Sequence, residues 1–306
     1  MTGPKEEPQP AVVEDDDEIL DETTATDVSA DGLAPEEDSE ADEPRTSPMA
    51  SPRRGRRIEI ETLHADADLC AINKPVGLAT VSDRWNANAP TVIGELWRLW
   101  QRTDPASPRP HLIHRLDRDT SGVLLFARHR DAQAHVREQF RARTVTKTYL
   151  ALVVGQPERE GRIELEIAPS EQRPGAMKVV KRGGKACRTD YEVLDRFGDL
   201  SLLLVKPHTG RTHQIRISLA TIECPCACDP IYGDGEPIFL SHYKRDYHLS
   251  KGDVERPLIA RTALHAEDLT IAHPSGSGPL TLHAELPKDF RATLRQLERW
   301  TRGGRG

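Results

Sequence analysis

Long apolar runs are missing from this chain of 306 residues. The longest, such as GVLLFA at 122–127 and LSLLLV at 200–205, fall far short of the roughly 18 residues that a helix needs to cross a bilayer. That excludes a helical membrane protein. The N-terminal stretch is acidic and lacks the apolar segment of a secretory leader, so no export signal is expected. Cysteine is scarce. Its five copies, Cys70, Cys187, Cys224, Cys226 and Cys228, read as reduced thiols of a cytoplasmic protein rather than as a disulfide frame. Basic residues are nearly absent from the start. Residues 1–43 hold 17 Asp and Glu against Lys5 alone, a net of −16, so that within a total of −7 the remainder carries +9. A basic body is the footprint of a polyanion ligand, and also of an ordinary basic solvated surface.

Aromatic residues, 5% of the chain, are absent from 1–52. Asp, Glu, Pro, Ser, Thr and Ala fill that stretch without a sustained period of 3.6 or 2.0, which is the composition of a disordered acidic tail. Residues 53–300 are expected to form one folded body and 301–306 a flexible C-terminus. Within the body, strand-like patches alternate with turn signals: IEIETLHAD, LCAIN, GVLLFAR after Ser121-Gly122, KTYLALVVG, IELEI, RTDYEVLDRF, LSLLLVKP and LTIAHP. Helices are predicted at 131–143 with an Asp cap, at 212–221 with a Thr cap, and in LPKDFRATLRQLERW near the end. Strands with a few helices and no regular βαβ alternation define an α+β fold with a mixed, mainly antiparallel sheet and flanking helices.

Four segments carry residues suited to chemistry. HRLDRDTSG (114–122) sets Asp117 between Arg115 and Arg118 just before a strand. Basic groups near a carboxylate favour its ionised form, which suits a nucleophile or an electrostatic role better than an acid. On charge alone, a solvated surface cluster is the simpler reading. KPHTGRTHQIR (206–216) ends a strand in a Gly turn and opens a helix with basic groups. Free amides at the helix start and Arg211 can meet a phosphate while Arg216 points elsewhere, or these groups merely cap and solvate the helix. VTKTYLALV (145–153) puts Lys147, Tyr149 and Ala151 on one strand face, where a Tyr fills a core more often than it stacks on a base. In CPCAC (224–228) one-residue gaps crowd three thiolates, unlike the paired Cys-x2-4-Cys of structural zinc. His111 and His114 have no matching ligand pair either, so no metal is expected.

Taken in order, these segments resemble the RluA-type pseudouridine synthases over residues 58–290. INKPVGLAT (72–80) resembles that family's Asn-Lys-Pro-x-Gly segment, HRLDRDTSG its most specific signature, and FRARTVTKTYLALV its Lys-x-Tyr motif. GKACRTDYEV, VKPHTGRTHQIRI, DPIYGD and LHAEDLTIAHP follow in the family's order. The resemblance implies a catalytic domain with a central cleft over 53–300 and isomerisation of uridine to pseudouridine in a structured RNA, rRNA or tRNA. It makes Asp117 the catalytic aspartate, to the exclusion of Asp119. Arg216 becomes the partner of that carboxylate, Tyr149 the tyrosine that stacks on uracil, and Leu264 part of the uracil pocket. Arg115, Lys147, Arg211, His213 and Gln214, from the same motifs, are expected to bind the substrate. No cofactor is implied, because the glycosidic bond is broken and remade within one nucleotide. A monomer without an obligatory protein partner is expected.

Two departures stand out: Ser218 where many relatives have His, and three cysteines in the connection before DPIYGD. They bear on local geometry and RNA choice rather than on the reaction. Two other functions stay open at this point. A non-catalytic RNA-binding or ribosome-assembly protein on the same fold would need only the basic body and the tail, and a metal hydrolase would use CPCAC and the histidines. The tail either solvates the protein or competes with RNA for a basic cleft.

Overall fold

The computed structural model describes residues 58–82, 89–250 and 252–302. The acidic stretch expected to be disordered lies outside them, as do residues 303–306. The described chain forms β1 (Glu61–Ala65), β2 (Leu69–Lys74), α1 (Val92–Thr103), β3 (His111–Leu112), β4 (Ser121–Ala127) and α2 (Arg130–Arg141). It continues as β5 (Thr146–Val154), β6 (Glu160–Pro169), β7 (Met177–Val180), β8 (Lys185–Phe197), β9 (Leu200–Pro207) and α3 (Gln214–Thr221). Strands β10 (Leu264–Ala272) and β11 (Pro279–His283) and helix α4 (Lys288–Arg302) complete it.

One mixed sheet runs in the order β1-β2-β4-β10-β5-β9-β8-β6-β7, with β3 paired to β4 and β11 to β10. The expected α+β class is what the structure shows. Side-chain alternation explains how helices cover both faces. Leu69 and Ala71 of β2 and Val123 and Leu125 of β4 pack with Ala132 and Val136 of α2. Their neighbours Cys70, Ile72, Leu124 and Phe126 pack with Val92, Ile93 and Leu96 of α1. Further along, Ala151, Val153, Leu203 and Val205 meet Ile215 and Leu219 of α3, while Leu152 and Leu200 meet Phe290 and Leu297 of α4.

The named strands pair antiparallel with one exception, at the centre, where β4 and β10 run parallel through His265–Ser121 and Ala266–Gly122. Gly122 does not form the turn expected from the Ser-Gly pair. It lies within β4 at φ 115°, and a Cβ there would sit 2.0 Å from the Ala266 carbonyl oxygen. The backbone approach that joins the two halves of the sheet therefore needs glycine.

The helices also depart from expectation. Helix α1, capped by Thr91 Oγ1 accepting from the Gly94 amide at 3.2 Å, is an element absent from the sequence expectation. Helix α2 starts at Arg130 with His129 as cap, so Asp131 sits in the first turn. Helix α3 starts at Gln214, and His213 before it is left-handed at φ 55° rather than part of the first turn.

Candidate active site

The loop between β3 and β4 carries Asp117, and the segment after β2 holds that loop in place. Lys74, fully buried, donates to the carbonyls of Pro75, Arg118 and Thr120, each at 2.9 Å. Thr80 Oγ1 donates to the Leu116 carbonyl at 2.8 Å and accepts from the Leu116 amide at 3.2 Å. The Gly77 amide donates to the Arg118 carbonyl. INKPVGLAT is thus a cradle for HRLDRDTSG. From the other side Arg261, paired with Asp289 at 2.9 and 3.1 Å, donates to the carbonyls of Thr262 and Leu264 at the start of β10. His114 is structural: half-buried and stacked on Phe140, it accepts the Leu125 amide at 3.1 Å, and desolvation pushes its pKa down to about 3.

Asp117 is partly exposed, and its carboxylate meets Arg216, 99 residues away, with Nη1 3.3 Å from Oδ2. Arg115 and Arg118 are exposed on either side. The remaining edge of the Arg216 guanidinium is bound to Asp229, Nε to Oδ2 and Nη2 to Oδ1, both at 2.7 Å. Asp229 Oδ1 also accepts the amides of Ile231 and Tyr232 at 2.9 and 3.1 Å. Burial opposes the charge on Arg216, but Asp229 and then Asp117 hold its pKa above the ordinary value. Burial likewise raises Asp229, and Arg216 with the two amides overrides it and keeps the carboxylate low. The Arg216 guanidinium also lies 5.3 Å from the centre of the Tyr232 ring.

Tyr149 pairs with Ala266 of β10 and Val205 of β9 and packs against both the α1 and the α3 clusters. Burial, and then the charge of Asp117, push its hydroxyl well above the ordinary phenol value. Leu264, buried, lies in the same cluster as Ala151 and Ile215. His213 Nε2 lies 3.9 Å from Asp117 Oδ2.

Two sequence candidates are tied into the fold. The amide of Gln214 is saturated: its nitrogen donates to the Arg188 carbonyl and Thr189 Oγ1, and its oxygen accepts from Thr209 Oγ1 and the Arg211 amide. All four of its hydrogen-bonding positions are used, and they fasten α3 to β8. Lys147 Nζ donates to the Thr209 carbonyl at 3.1 Å and ties β5 to the same junction. Arg211, half-buried, directs Nε toward the Ala186 carbonyl at 3.5 Å. Ser218 faces β8, its hydroxyl 3.3 Å from that of Thr189, so that departure is absorbed within the core.

Asp229, Tyr232, Lys74 and Arg261 were given no role from the sequence, although DPIYGD and INKP contain three of them. Beside Asp117, burial raises the carboxyl of Asp119 against the pull of Lys74 and Arg216. The three cysteines of CPCAC do not converge, since Cys224 and Cys226 pack under α3 and Cys228 packs in the α4 cluster. Burial raises their thiol pKa values, that of Cys228 to about 11. Among the described residues one group could hold an ion, His64, Asp66 and His273 at the far end of β1. There both Nε2 atoms face Asp66 Oδ2 at 2.6 and 2.8 Å, a hydrogen-bonded clamp. No helix among the described residues is long and apolar enough to cross a membrane.

The motifs implied a loop carboxylate facing a buried arginine, and known proteins resemble this chain in sequence and fold. The RNA pseudouridylate synthase family model matches residues 68–221, and the chain belongs to that family. It is 37% identical over 226 residues to an "Uncharacterized RNA pseudouridine synthase" of Chloroflexus aurantiacus, covering 74% of this chain and 66% of that protein. It is 35% identical to the "Ribosomal large subunit pseudouridine synthase D" of Nitrosomonas europaea, covering 78% of this chain and 66% of the other. This chain thus spans just under two thirds of these two relatives. Among solved structures, human RNA Pseudouridylate Synthase Domain Containing 4 superposes with a TM-score of 0.60 at 28% identity, over 78% of this chain and 93% of that one.

Proposed function

We propose that this protein isomerises uridine to pseudouridine in ribosomal or transfer RNA, with Asp117 as the catalytic group. The observation that carries the reading is the Asp117 carboxylate held by one hydrogen bond from an arginine whose other edge is fixed. The relatives named for the large ribosomal subunit favour ribosomal RNA.

The target uridine first leaves its stack at a cost of roughly a few kcal/mol, offset by contact with Tyr149 and Leu264. Asp117, kept beside a cation that cannot lose its proton, then attacks the anomeric carbon or takes the ribose 2′ proton. The C1′–N1 bond breaks, the base turns, and C1′–C5 forms. C5 gives up its proton and N1 gains one, so the product is an isomer and no reductant or energy source enters. Arg216 offsets the carboxylate charge without being able to act as an acid.

Ribosomal RNA transcribed with uridine tritiated at C5 tests this, because only isomerisation releases tritium. The wild-type protein releases it and Asp117→Asn lowers the rate at least a thousandfold. Release by Asp117→Asn at the wild-type rate would remove Asp117 from the reaction.

A further inference from the structure

One row of polar groups in the cleft has no part in the reaction as described so far. The left-handed backbone of His213 sets its ring edge-on to Tyr232, with centroids 5.7 Å apart at 83°. Nδ1 lies 3.0 Å from Tyr232 Oη, and the same oxygen accepts the Met177 amide at 2.7 Å. On the opposite side of the ring, Nε2 faces Asp117 Oδ2 at 3.9 Å.

These neighbours decide which ring nitrogen carries the proton. A lone pair on Nε2 would point at a carboxylate oxygen and be repelled, so Asp117 favours a proton there. Nδ1 is then an acceptor, and Tyr232 O–H is its donor. The Met177 amide already occupies a lone pair of the Tyr232 oxygen, which leaves the hydroxyl proton to turn toward the ring. Three donors, Met177 N–H, Tyr232 O–H and His213 Nε2–H, therefore point one way, toward Asp117. Charged groups face the imidazole from the Asp117 loop (Asp117, Arg115), from α3 (Arg216) and from the loop after it (Asp229). Burial, Arg216 and Arg115 favour the neutral ring, while Asp117 and Asp229 oppose them, and the balance lies with the neutral form.

Arg216 Nη1 reaches the same Asp117 oxygen, Oδ2. We propose that Tyr232 and His213 are positioning residues: they hold a neutral Nε2–H against Asp117 Oδ2 and so leave Oδ1 to the ribose of the target nucleotide. This rests on the uridine-isomerising reading of the cleft. The gap of 3.9 Å closes to a hydrogen bond when the side chains approach by about 1 Å, and apo catalytic contacts of this kind tighten on substrate binding.

Two readouts on the full-length protein separate the relay from the activity. Nitrogen-15 NMR of histidine-labelled protein shows the His213 ring as the Nε2–H tautomer between pH 6 and 8, whatever the enzyme does with RNA. In Tyr232→Phe the donor to Nδ1 is gone and the imidazolium becomes easier to form. With the tritiated ribosomal transcript, kcat of that variant falls roughly tenfold, the upper scale of one hydrogen bond between neutral groups, with KM within about twofold. At position 213, Gln places its amide N–H near the site of Nε2, whereas Asn cannot reach it. His213→Gln keeps several times more kcat than His213→Asn, although Asn tolerates a φ of 55° better. Thermal unfolding shows each variant folded.

An Nδ1–H tautomer in the wild-type protein, an unchanged kcat in Tyr232→Phe, or His213→Asn matching His213→Gln would each overturn the relay. Absence of tritium release from the wild-type protein would overturn the reaction instead, with the tautomer still deciding the hydrogen-bond row.

Discussion

The Arg216 guanidinium is bound to Asp229 through two hydrogen bonds of 2.7 Å, deep beneath the cleft. Asp117 meets the same group through one bond of 3.3 Å. Arg216 and Asp229 are therefore the fixed unit and Asp117 the loosely held one, as suits a carboxylate that must engage a substrate. The conformation of the connection after α3 follows from this pair, because Asp229 also collects the amides that open it.

Asp229→Asn tests that order. Asn cannot offer two anionic oxygens to the fork, so a buried guanidinium loses its main partner. Removing one member of a buried pair costs about 3–5 kcal/mol, and an Asn that keeps one acceptor belongs at the lower end. Urea unfolding of the variant is expected to show a loss of about 3 kcal/mol, along with slower tritium release. A stability within about 0.5 kcal/mol of wild type, the range of an ordinary surface change, would mean that the pair contributes little.

Gly122→Ala addresses the parallel junction of β4 and β10. Its Cβ would sit 2.0 Å from the Ala266 carbonyl oxygen, at a φ of 115° that L residues rarely adopt. Neither strand has room to retreat at the junction, where Ser121 and Gly122 of β4 and Leu264, His265 and Ala266 of β10 are all buried. The variant is expected to lose more than about 4 kcal/mol or to be recovered only as aggregate. A soluble protein melting within a few degrees of wild type would show that the junction can shift.

The comparison of sequence and structure follows the same physics. Strands β2, β4, β5 and β9 were legible because their apolar runs are short, bounded by turn signals and buried on both faces. Asp117, Tyr149 and Arg216 were legible through ordered motifs, and charge alone would have left Asp117 in a surface cluster with Arg115 and Arg118. Asp229 was not legible: its partner lies 13 residues back, across a cysteine-rich turn that drew attention to metal chemistry. For Gln214 the motif does not show the four hydrogen bonds that tie its amide into the fold, because their partners come from other segments. Ser121-Gly122 carries a turn's composition, and only the pairing of distant strands shows that its glycine serves a close approach.

Lys74 gives a prediction with a pH signature. Its three ammonium protons match three backbone carbonyls, and Lys74→Met strands those acceptors at a cost of about 3 kcal/mol. Burial pushes the pKa down to about 7, against the pull of Asp119 and Asp117, whereas an unfolded lysine titrates near 10.4. Between these values the unfolded chain binds more protons than the folded one, so this group makes stability rise with pH. Below pH 7 both states are protonated and the contribution is flat. Urea midpoints at pH 7 and pH 9.5 should therefore diverge further between wild type and Lys74→Met at the higher pH. A gap that narrows as pH rises would contradict the shift.

Asp66 carries the acid side. Burial would raise its carboxyl, but the Leu69 amide, His64, the Asp68 amide and His273 hold it well below the ordinary carboxylate range. A carboxylate depressed in the folded state adds stability that is fully present above its unfolded value, near 3.9, and is lost as pH falls through the folded one. The clamp joins the end of β1 to the segment after β10, so its loss loosens the edge of the sheet remote from the cleft. Asp66→Asn keeps an oxygen for the two amides and removes the charge. The variant is expected to be less stable than wild type at pH 7, and the difference to shrink steadily below pH 4 as the wild-type carboxylate becomes protonated. Tritium release at pH 7 should be nearly unchanged once both proteins are folded, since the clamp lies outside the cleft. A stability difference that stays constant from pH 7 to pH 2 would show that the histidines and amides do not favour the ionised form.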